Sequence, residues 1–577
     1  MGEAACSTPR GLRSSGPSGG RERSKSSIHY VLLSLFVFSF TVFLITAPHN
    51  QTDLYDGYNY AFLAETVPID ENRDSRAILF HAFNRAAFVL SLRFGERGFA
   101  EVIQITTGLS AALAISLMAR LLIRGLGTSI GVGVLGGLSL AFSYGFWRYA
   151  TAIEVYVPSI FFILAVLNLL FHCESAQGPK RLLVVPAGVL AGLAVLHYQP
   201  SFIPLFLAAP ILFLSRGRLR YLVCYAGVGF SVVLSGYVIF YQLAEGAHSL
   251  EGFGLFLTHR NREFGGFFVS NLIKSPIAMF RDLFCLNWLY ALDHLPEIPD
   301  SWYPHERDEM TFAARAFRPY SLLPLFIAPL LALSTVLGMR LMAWGQDTPK
   351  LDRRLLLFMS WIGIYALIVI YLDGRHPEHW ILALPPLVVI ASVLVFERLE
   401  RAGKTWLVGA FVALVASYNF FGGIGIVSSE RGDLYRQKTA WLRENRLPSD
   451  VVWLPGAEHK WPFISYLRYV VGVDVVVSNL ERSRRFYSEG DTYRDGSLES
   501  LLVERSEPGG RLFVFEEFLS PNAFNRRSSL NFAYLVRLAD RLREQVRVRH
   551  AGAAGMTLEV VASEAELNTL LGADDEI

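Results

Sequence analysis

Two carboxylates make the first case for chemistry in this chain. Asp53 and Asp56 stand in Asp53-Leu-Tyr-Asp56-Gly-Tyr-Asn-Tyr60, directly after the first long apolar run. Being three residues apart, they would share one face of a single helical turn. The same stretch also reads as a solvated loop whose aspartates cap the next helix. Further polar residues sit where apolar ones would be cheaper. Glu154 lies in Trp147-Arg-Tyr-Ala-Thr-Ala-Ile-Glu-Val-Tyr156, at the mouth of an apolar run. An ionised carboxylate there costs about 2.5–3.5 kcal/mol even on lenient insertion scales, and such charges tend to be functional. A boundary Glu paired with Arg148, inside an aromatic belt of Trp147 and Tyr156, is the alternative. His197 ends another run in Gly192-Leu-Ala-Val-Leu-His-Tyr-Gln-Pro200, and is either a site residue or an interfacial histidine. Arg375, His376 and His379 share a short polar turn, Asp373 to His379. The two histidines, three apart, could hold one ligand or simply meet lipid headgroups.

What must position these residues is a membrane domain. The chain has 577 residues, 52% of them hydrophobic and only 18% charged, with mean hydropathy +0.35. That is too little charge for a soluble protein of this length. Apolar runs near the ~20 residues that cross a bilayer recur through the first three quarters. They fall at roughly 28–46, 100–118, 128–146, 155–172, 182–197, 201–215, 221–243, 320–339, 355–372, 380–396 and 406–426, which makes eleven spans. The run from Ile28 to Thr46 is too long for a signal-peptide core and lacks a small-residue cleavage site, so it counts as a span. Residues 1–27, rich in Gly, Ser and Arg, read as a disordered basic tail.

Basic clusters test this count. Arg21, Arg23 and Lys25; Arg120 and Arg124; Lys180 and Arg181; Arg216, Arg218 and Arg220; Arg340, Lys350, Arg353 and Arg354; and Arg398, Arg401 and Lys404 all fall on one side. The positive-inside rule makes that side cytoplasmic, so the C-terminus of an eleven-span chain lies outside the cell membrane. These cations occupy short loops, and the net charge is only +2; nucleic acid is not an expected partner. Cys6, Cys173, Cys224 and Cys285 are scattered, with no disulfide framework and no CxxC metal motif.

On the opposite side, two long loops stand out, about 47–99 and 244–319. The first contains Ala77–Phe94, whose Ile78, Leu79, Phe83, Ala86, Ala87 and Leu90 alternate with His81, Asn84, Arg85 and Arg93. That spacing predicts a helix lying in the interface. The second loop is aromatic, and Ile273–Leu292 within it reads as another such helix. From 428 onward a soluble domain follows, with strands expected at Val451–Leu454, Val473–Val477, Leu512–Phe515 and Thr557–Val561. Helices at Leu434–Asn445, Trp461–Tyr469 and Phe532–Gln545 would complete a small α/β sandwich. It has no phosphate-binding glycine loop. The fold class is therefore an α-helical polytopic membrane protein of about eleven spans with an extracytoplasmic C-terminal α/β domain. With this topology the two Asp, the Glu, three His and two Arg converge on one face, as a reaction centre at the outer leaflet requires.

Eleven spans, a long acidic first external loop and an interfacial helix after it resemble the GT-C superfamily of membrane glycosyltransferases. Within it, Ser143-Tyr-Gly-Phe-Trp147 followed by Ala152-Ile-Glu-Val-Tyr156, and then Gly192-Leu-Ala with His197, are similar to the branch containing a transmembrane protein O-mannosyltransferase and its bacterial relatives. The likeness covers residues 28–243, then 320–426 by topology alone, and not the C-terminal domain. The superfamily often has adjacent acidic residues in this loop, whereas Asp53 and Asp56 are separated by two positions.

The resemblance implies transfer of a sugar, with inversion, from a polyprenyl-phosphate donor to an acceptor hydroxyl on a protein, glycolipid or wall polymer outside the membrane. Asp56 is then the expected general base, Asp53 its acidic neighbour, and Glu154 the residue aligning the acceptor or holding a metal. Arg73, Arg76, Arg85, Arg148 and Arg375 are candidates for the leaving phosphate, Arg being suited to bidentate phosphate contacts. Tyr156, His81, His197 and His376 complete the expected substrate contacts. Glu154, His197 and His379 are the candidate ligands of a divalent metal ion. A transporter or flippase of a lipid-linked sugar, and a non-catalytic assembly protein presenting its C-terminal domain, are the rival readings.

Overall fold

The computed structural model describes residues 19–49, 57–66, 77–93, 98–175, 183–213, 218–245, 253, 269–286, 353–374, 377–429, 433–454, 461–477, 511–515, 546–552 and 555–560. The expected span 320–339, the helix 532–545, and Asp53, Asp56, Arg73, Arg76, Arg375 and His376 lie outside the described residues.

The chain begins with a long helix, α1 (Gly19–Ile45), which takes in the end of the expected N-terminal tail. Two short helices follow in the first loop, α2 (Gly57–Thr66) and α3 (Ile78–Ser91). The bundle continues through α4 (Phe99–Arg120), α5 (Ile130–Ala141), α6 (Tyr144–Thr151), α7 (Tyr156–Ser175), α8 (Val184–His197) and α9 (Leu219–Glu245). Helix α10 (Val269–Leu283) belongs to the second long loop, and α11 (Arg353–Asp373), α12 (Leu384–Ala391) and α13 (Thr405–Asn419) complete the membrane part.

Among the described residues, seven helices are long and apolar enough to cross a membrane, starting at Ser27, Phe99, Tyr156, Leu219, Arg353, Glu378 and Thr405. Each coincides with an expected span. The expected span 128–146 is broken: α5 and α6 meet at a bend of 66°. Those at 182–197 and 201–215 are shorter apolar helices, Val184–His197 and Gln199–Phe213. The latter runs through 3-10 and π turns around Pro200, Pro204 and Pro210, because a proline supplies no N–H for the regular helical ladder. Helix α8 lies close along α9, and its small residues explain the approach. A Cβ on Gly192 would come within 2.8 Å of the Gly229 carbonyl oxygen; without one, the two backbones can touch.

Charges gather at one end of this bundle. Glu174, at the end of α7, pairs with Arg218 at 3.5 Å and with Arg354 at 3.0 Å. Arg354 also donates to the Gly125 carbonyl just beyond α4, at 2.6 Å. Four elements thus bring their basic or acidic ends together, as the one-sided distribution of Lys and Arg requires.

Beyond α13 lie α14 (Leu434–Asn445) and α15 (Trp461–Tyr466), with a five-stranded sheet. Its strands are β1 (Val451–Leu454), β2 (Asp474–Val477), β3 (Leu512–Phe515), β4 (Val546–Gly552) and β5 (Gly555–Val560), in the order β2-β1-β3-β5-β4. Strand β1 pairs in parallel with β2 and β3, while β5 runs antiparallel to β3 and β4. The four expected strands are all present, and β4 is an addition. Leu442, Val452, Leu454, Phe463, Phe513 and Phe515 fill the core between α14, α15 and the sheet. Asp450 is buried but satisfied, accepting from Arg511 at 2.8 Å and from the Leu447 amide at 2.6 Å.

Candidate active site

The corner between α6 and α7 is where the site is built. Trp147 anchors it: its indole N–H donates to Thr46 Oγ1 at 2.9 Å, tying α6 to the end of α1. After Thr151 the helix stops, and residues 152–155 run unwound until α7 begins at Tyr156. Ile153 and Val155 are buried in an apolar cluster with Ala61, Phe80, Phe99 and Ile103, which fixes the backbone on either side of Glu154. Glu154 itself is only 5% exposed. Against this corner lies Gly57, the residue that follows Asp56. A Cβ there would stand 2.8 Å from Ile153 Cβ, so only glycine lets the start of α2 come this close. The described chain therefore resumes, one residue after Asp56, beside Glu154.

Around Glu154 the structure assembles charges that the sequence separates widely. Its carboxylate is within electrostatic reach of Tyr149 and Tyr156, and Glu378 acts on the same two tyrosines. Arg148 lies over the Tyr149 ring, 5.5 Å from its centre. Tyr149, Tyr156 and Tyr198 form a file of edge-on rings at 5.4 and 5.3 Å. Asp282, from α10, joins this group and interacts with Glu378, Arg281 and Arg148. It is 1% exposed, and its carboxylate packs directly against Gly145 of α6, where any side chain would displace it. Burial, reinforced by Glu378, holds the Asp282 carboxyl well above the usual carboxylate range, against the opposing pull of Arg281 and Arg148.

Sequence reasoning did not single out Asp282 or Glu378. A signal for Asp282 existed in the polarity of its helix. Asn271, Ser275, Ala278 and Asp282 line the buried face of α10, while Leu272, Ile277 and Phe280 are exposed alongside Lys274. The expected interfacial helix α3 likewise buries its polar His81 and Asn84, together with Ile78 and Phe80, and exposes Phe83, Val89 and Leu90. Polar-in and apolar-out is the polarity of a helix that faces lipid and lines a polar site.

The remaining predicted residues divide into two sets. His81 and His197 meet in an aromatic box: Phe80 is 5.5 Å from each ring, Phe162 is 5.4 Å from His197, and Tyr60 is 5.6 Å from His81. Both imidazoles are buried and close enough to interact, and neither nitrogen of His197 has a hydrogen-bond partner among the described residues. Arg85 donates to the Glu65 carbonyl at 2.8 Å, which staples α3 to α2. His379 sits in the half-buried turn before α12, where its carbonyl accepts from the Tyr365 hydroxyl. Among the described residues, no three His, Cys, Asp or Glu side chains gather closely enough to hold a metal ion. Glu154, His197 and His379 therefore do not form the ligand set expected of them, and a set completed by Asp53 or Asp56 falls outside the described residues.

The C-terminal domain closes over the same corner. Tyr58 of α2 is buried between Tyr466 and Tyr469, at 5.6 and 5.9 Å, and Ala152 joins their cluster. The Tyr469 hydroxyl accepts from the Ala100 amide at 3.3 Å, reaching the first turn of α4. Burial pushes the Tyr58 phenol well above its ordinary range, so it stays neutral.

No protein-family model and no curated protein matches this sequence. Solved structures do match in three dimensions. The Cupriavidus metallidurans ArnT structure bound to undecaprenyl phosphate aligns with a TM-score of 0.54 at 11% identity, covering 93% of this chain and 98% of ArnT. Its apo form aligns at 0.51 and 12% identity, over 94% and 99%. An Archaeoglobus fulgidus oligosaccharyltransferase tethered to an acceptor peptide reaches 0.47 at 13% identity, over 92% and 74%. The fold is GT-C. The ArnT likeness leaves too little of the chain uncovered to omit the C-terminal region, so the shared architecture extends past the point, near residue 426, where the sequence resemblance stops.

Proposed function

We propose that this GT-C protein is a glycosyltransferase that moves a sugar from a polyprenyl-phosphate donor to an acceptor hydroxyl, at the end of the bundle opposite its basic clusters. The observation that carries the reading is the group of buried Glu154 and Asp282 with half-buried Glu378 and Arg148, at helix ends beside the start of α2. A transporter with alternating access would hold its polar site near mid-membrane instead. The similar ArnT structure, bound to undecaprenyl phosphate, supports a lipid-phosphate ligand.

In the reaction, the acceptor oxygen attacks the anomeric carbon from the face opposite the phosphate. The new C–O bond forms as the bond to the polyprenyl-phosphate oxygen breaks, so configuration inverts. A carboxylate takes the acceptor proton, and Asp56 is assigned as this base, with Asp53 beside it. General-base catalysis of this kind contributes about 10²–10⁴-fold. Glu154 orients the acceptor. Arg148 faces the charge that builds on the leaving phosphate, where a guanidinium can donate two parallel hydrogen bonds. Arg375 and His376, which lie between α11 and α12 in sequence, are assigned further substrate contacts. The positive-inside rule puts this end outside the cell membrane.

The test is sugar transfer from radiolabelled polyprenyl-phosphate sugars by membranes carrying wild type or Asp56→Asn at matched levels. Transfer by wild type that is lost in the variant supports the enzyme and its base. Equal transfer by both removes Asp56 from the mechanism.

A further inference from the structure

Helix α10 presents Asn271, Ser275 and Asp282 to the protein interior. Asn271 donates to the Ile370 carbonyl of α11 at 3.0 Å, and Ser275 packs on Gly374 with its Oγ unpartnered among the described residues. Asp282 is the acidic one of the three. Its side chain is 1% exposed, it lies against Gly145, and its Oδ2 has no hydrogen-bond partner among the described residues. A buried carboxylate oxygen with an open acceptor position is costly to keep unless something else fills it. Arg148 and Arg281 stand nearby on one hand and Glu378 on the other. A phosphate would be repelled by the two carboxylates and suits the arginines better. The open Oδ2 suits a neutral hydrogen-bond donor, and the outer face of the same helix, with Leu272, Ile277 and Phe280, suits lipid.

We propose that Asp282 binds a hydroxyl of the transferred pyranose, holding the donor's sugar between α10 and the α6–α7 corner. A lipid-linked donor meets the apolar face of α10 with its prenyl chain and the polar face with its sugar. Asp282 thus acts as a sugar-specificity residue, distinct from the base and from the arginine that faces phosphate. The proposal rests on the glycosyltransferase reading above.

The experiment measures equilibrium binding to the full-length protein in lipid nanodiscs. The probes are bare polyprenyl phosphate and its glucosyl, galactosyl, mannosyl and N-acetylglucosaminyl phosphodiesters. Asp282→Ala is expected to weaken the best pyranosyl lipid about 10- to 100-fold, the range for a buried donor left without its acceptor. Affinity for bare polyprenyl phosphate should stay within about twofold. Asp282→Asn keeps one acceptor oxygen and should lose about 3- to 10-fold, with thermal melting checking that both variants fold. Equal weakening of sugar-bearing and bare lipids would assign Asp282 a structural role and overturn the proposal. So would unchanged affinity for every pyranosyl lipid, or wild-type binding of the bare phosphate alone. A wild type that binds none of the five lipids would refute the glycosyltransferase reading itself, and the Asp282 assignment with it.

Discussion

The two ends of the membrane bundle treat charge in opposite ways. At the basic end, Glu174 is shared by Arg218 and Arg354, and Arg401 pairs with Glu397 one helical turn away at 2.7 Å. These side chains are partly exposed, from 18% for Glu174 to 72% for Arg401. At the other end, Glu154, Asp282, His81 and His197 are all 5% exposed or less, among tyrosines and phenylalanines. Solvated ion pairs of the first kind contribute at most about 1 kcal/mol. Burying charge as at the second end is unfavourable without full pairing. A fold keeps such groups where they perform chemistry, whereas the basic end needs only to hold helices together and set orientation.

Several substitutions would sharpen or break this contrast. Arg148→Ala should produce the largest loss, about 10²–10³-fold in transfer rate with thermal melting little changed, as expected for a group that acts on transition-state charge. Arg148→Lys should recover part of it. Gly145→Val would force a side chain into the space of the Asp282 carboxylate. Overpacking of this kind costs about 1–3 kcal/mol, visible as a lower melting temperature together with lost transfer.

Asp282→Asn should move stability the other way. The folded-state carboxyl is held above its unfolded value, so wild type carries full stability only below the ordinary carboxylate pKa and loses it as pH rises through the folded one. The asparagine variant should therefore melt higher than wild type at pH 8, with a gain that vanishes towards about pH 4. A residue held by structural partners would show the reverse. Arg354→Ala should have the smallest effect on function, with transfer unchanged and melting modestly lowered, since it loses both its pair with Glu174 and its bond to the Gly125 carbonyl.

Much of this arrangement was legible in the sequence because the bilayer constrains it. A span needs a long apolar run, so seven expected spans appear as long helices. The exceptions have local causes: the break at residues 142–143 turns α6 away from α5, and prolines disrupt Gln199–Phe213. Strands β1, β2, β3 and β5 were readable as short buried runs. Strand β4, Val546–Gly552, interleaves Arg547 and Arg549 with its two valines and continues into His550, so it lacks that continuous apolar signature. Glu154 and His197 could be found because each ends an apolar run, where a polar residue stands out. Asp282 stands out less, since a charged residue precedes it in Phe280-Arg-Asp-Leu283 and the pair reads as ordinary loop polarity, leaving only the two-faced pattern of its helix as a signal. Its role depends on which face of α10 turns inward, and that is decided by contacts with α6 and α11, far away in sequence.

The most direct test sets the two ends against each other in one assay. Glu154→Gln and Glu174→Gln remove the same charge by the same change, one from each end. Sugar transfer and thermal melting would be measured for both beside wild type. The account predicts at least a ~100-fold loss of transfer for Glu154→Gln with melting preserved, and near-normal transfer for Glu174→Gln with melting slightly lowered. Normal transfer by Glu154→Gln, or equal loss in both variants, would contradict it.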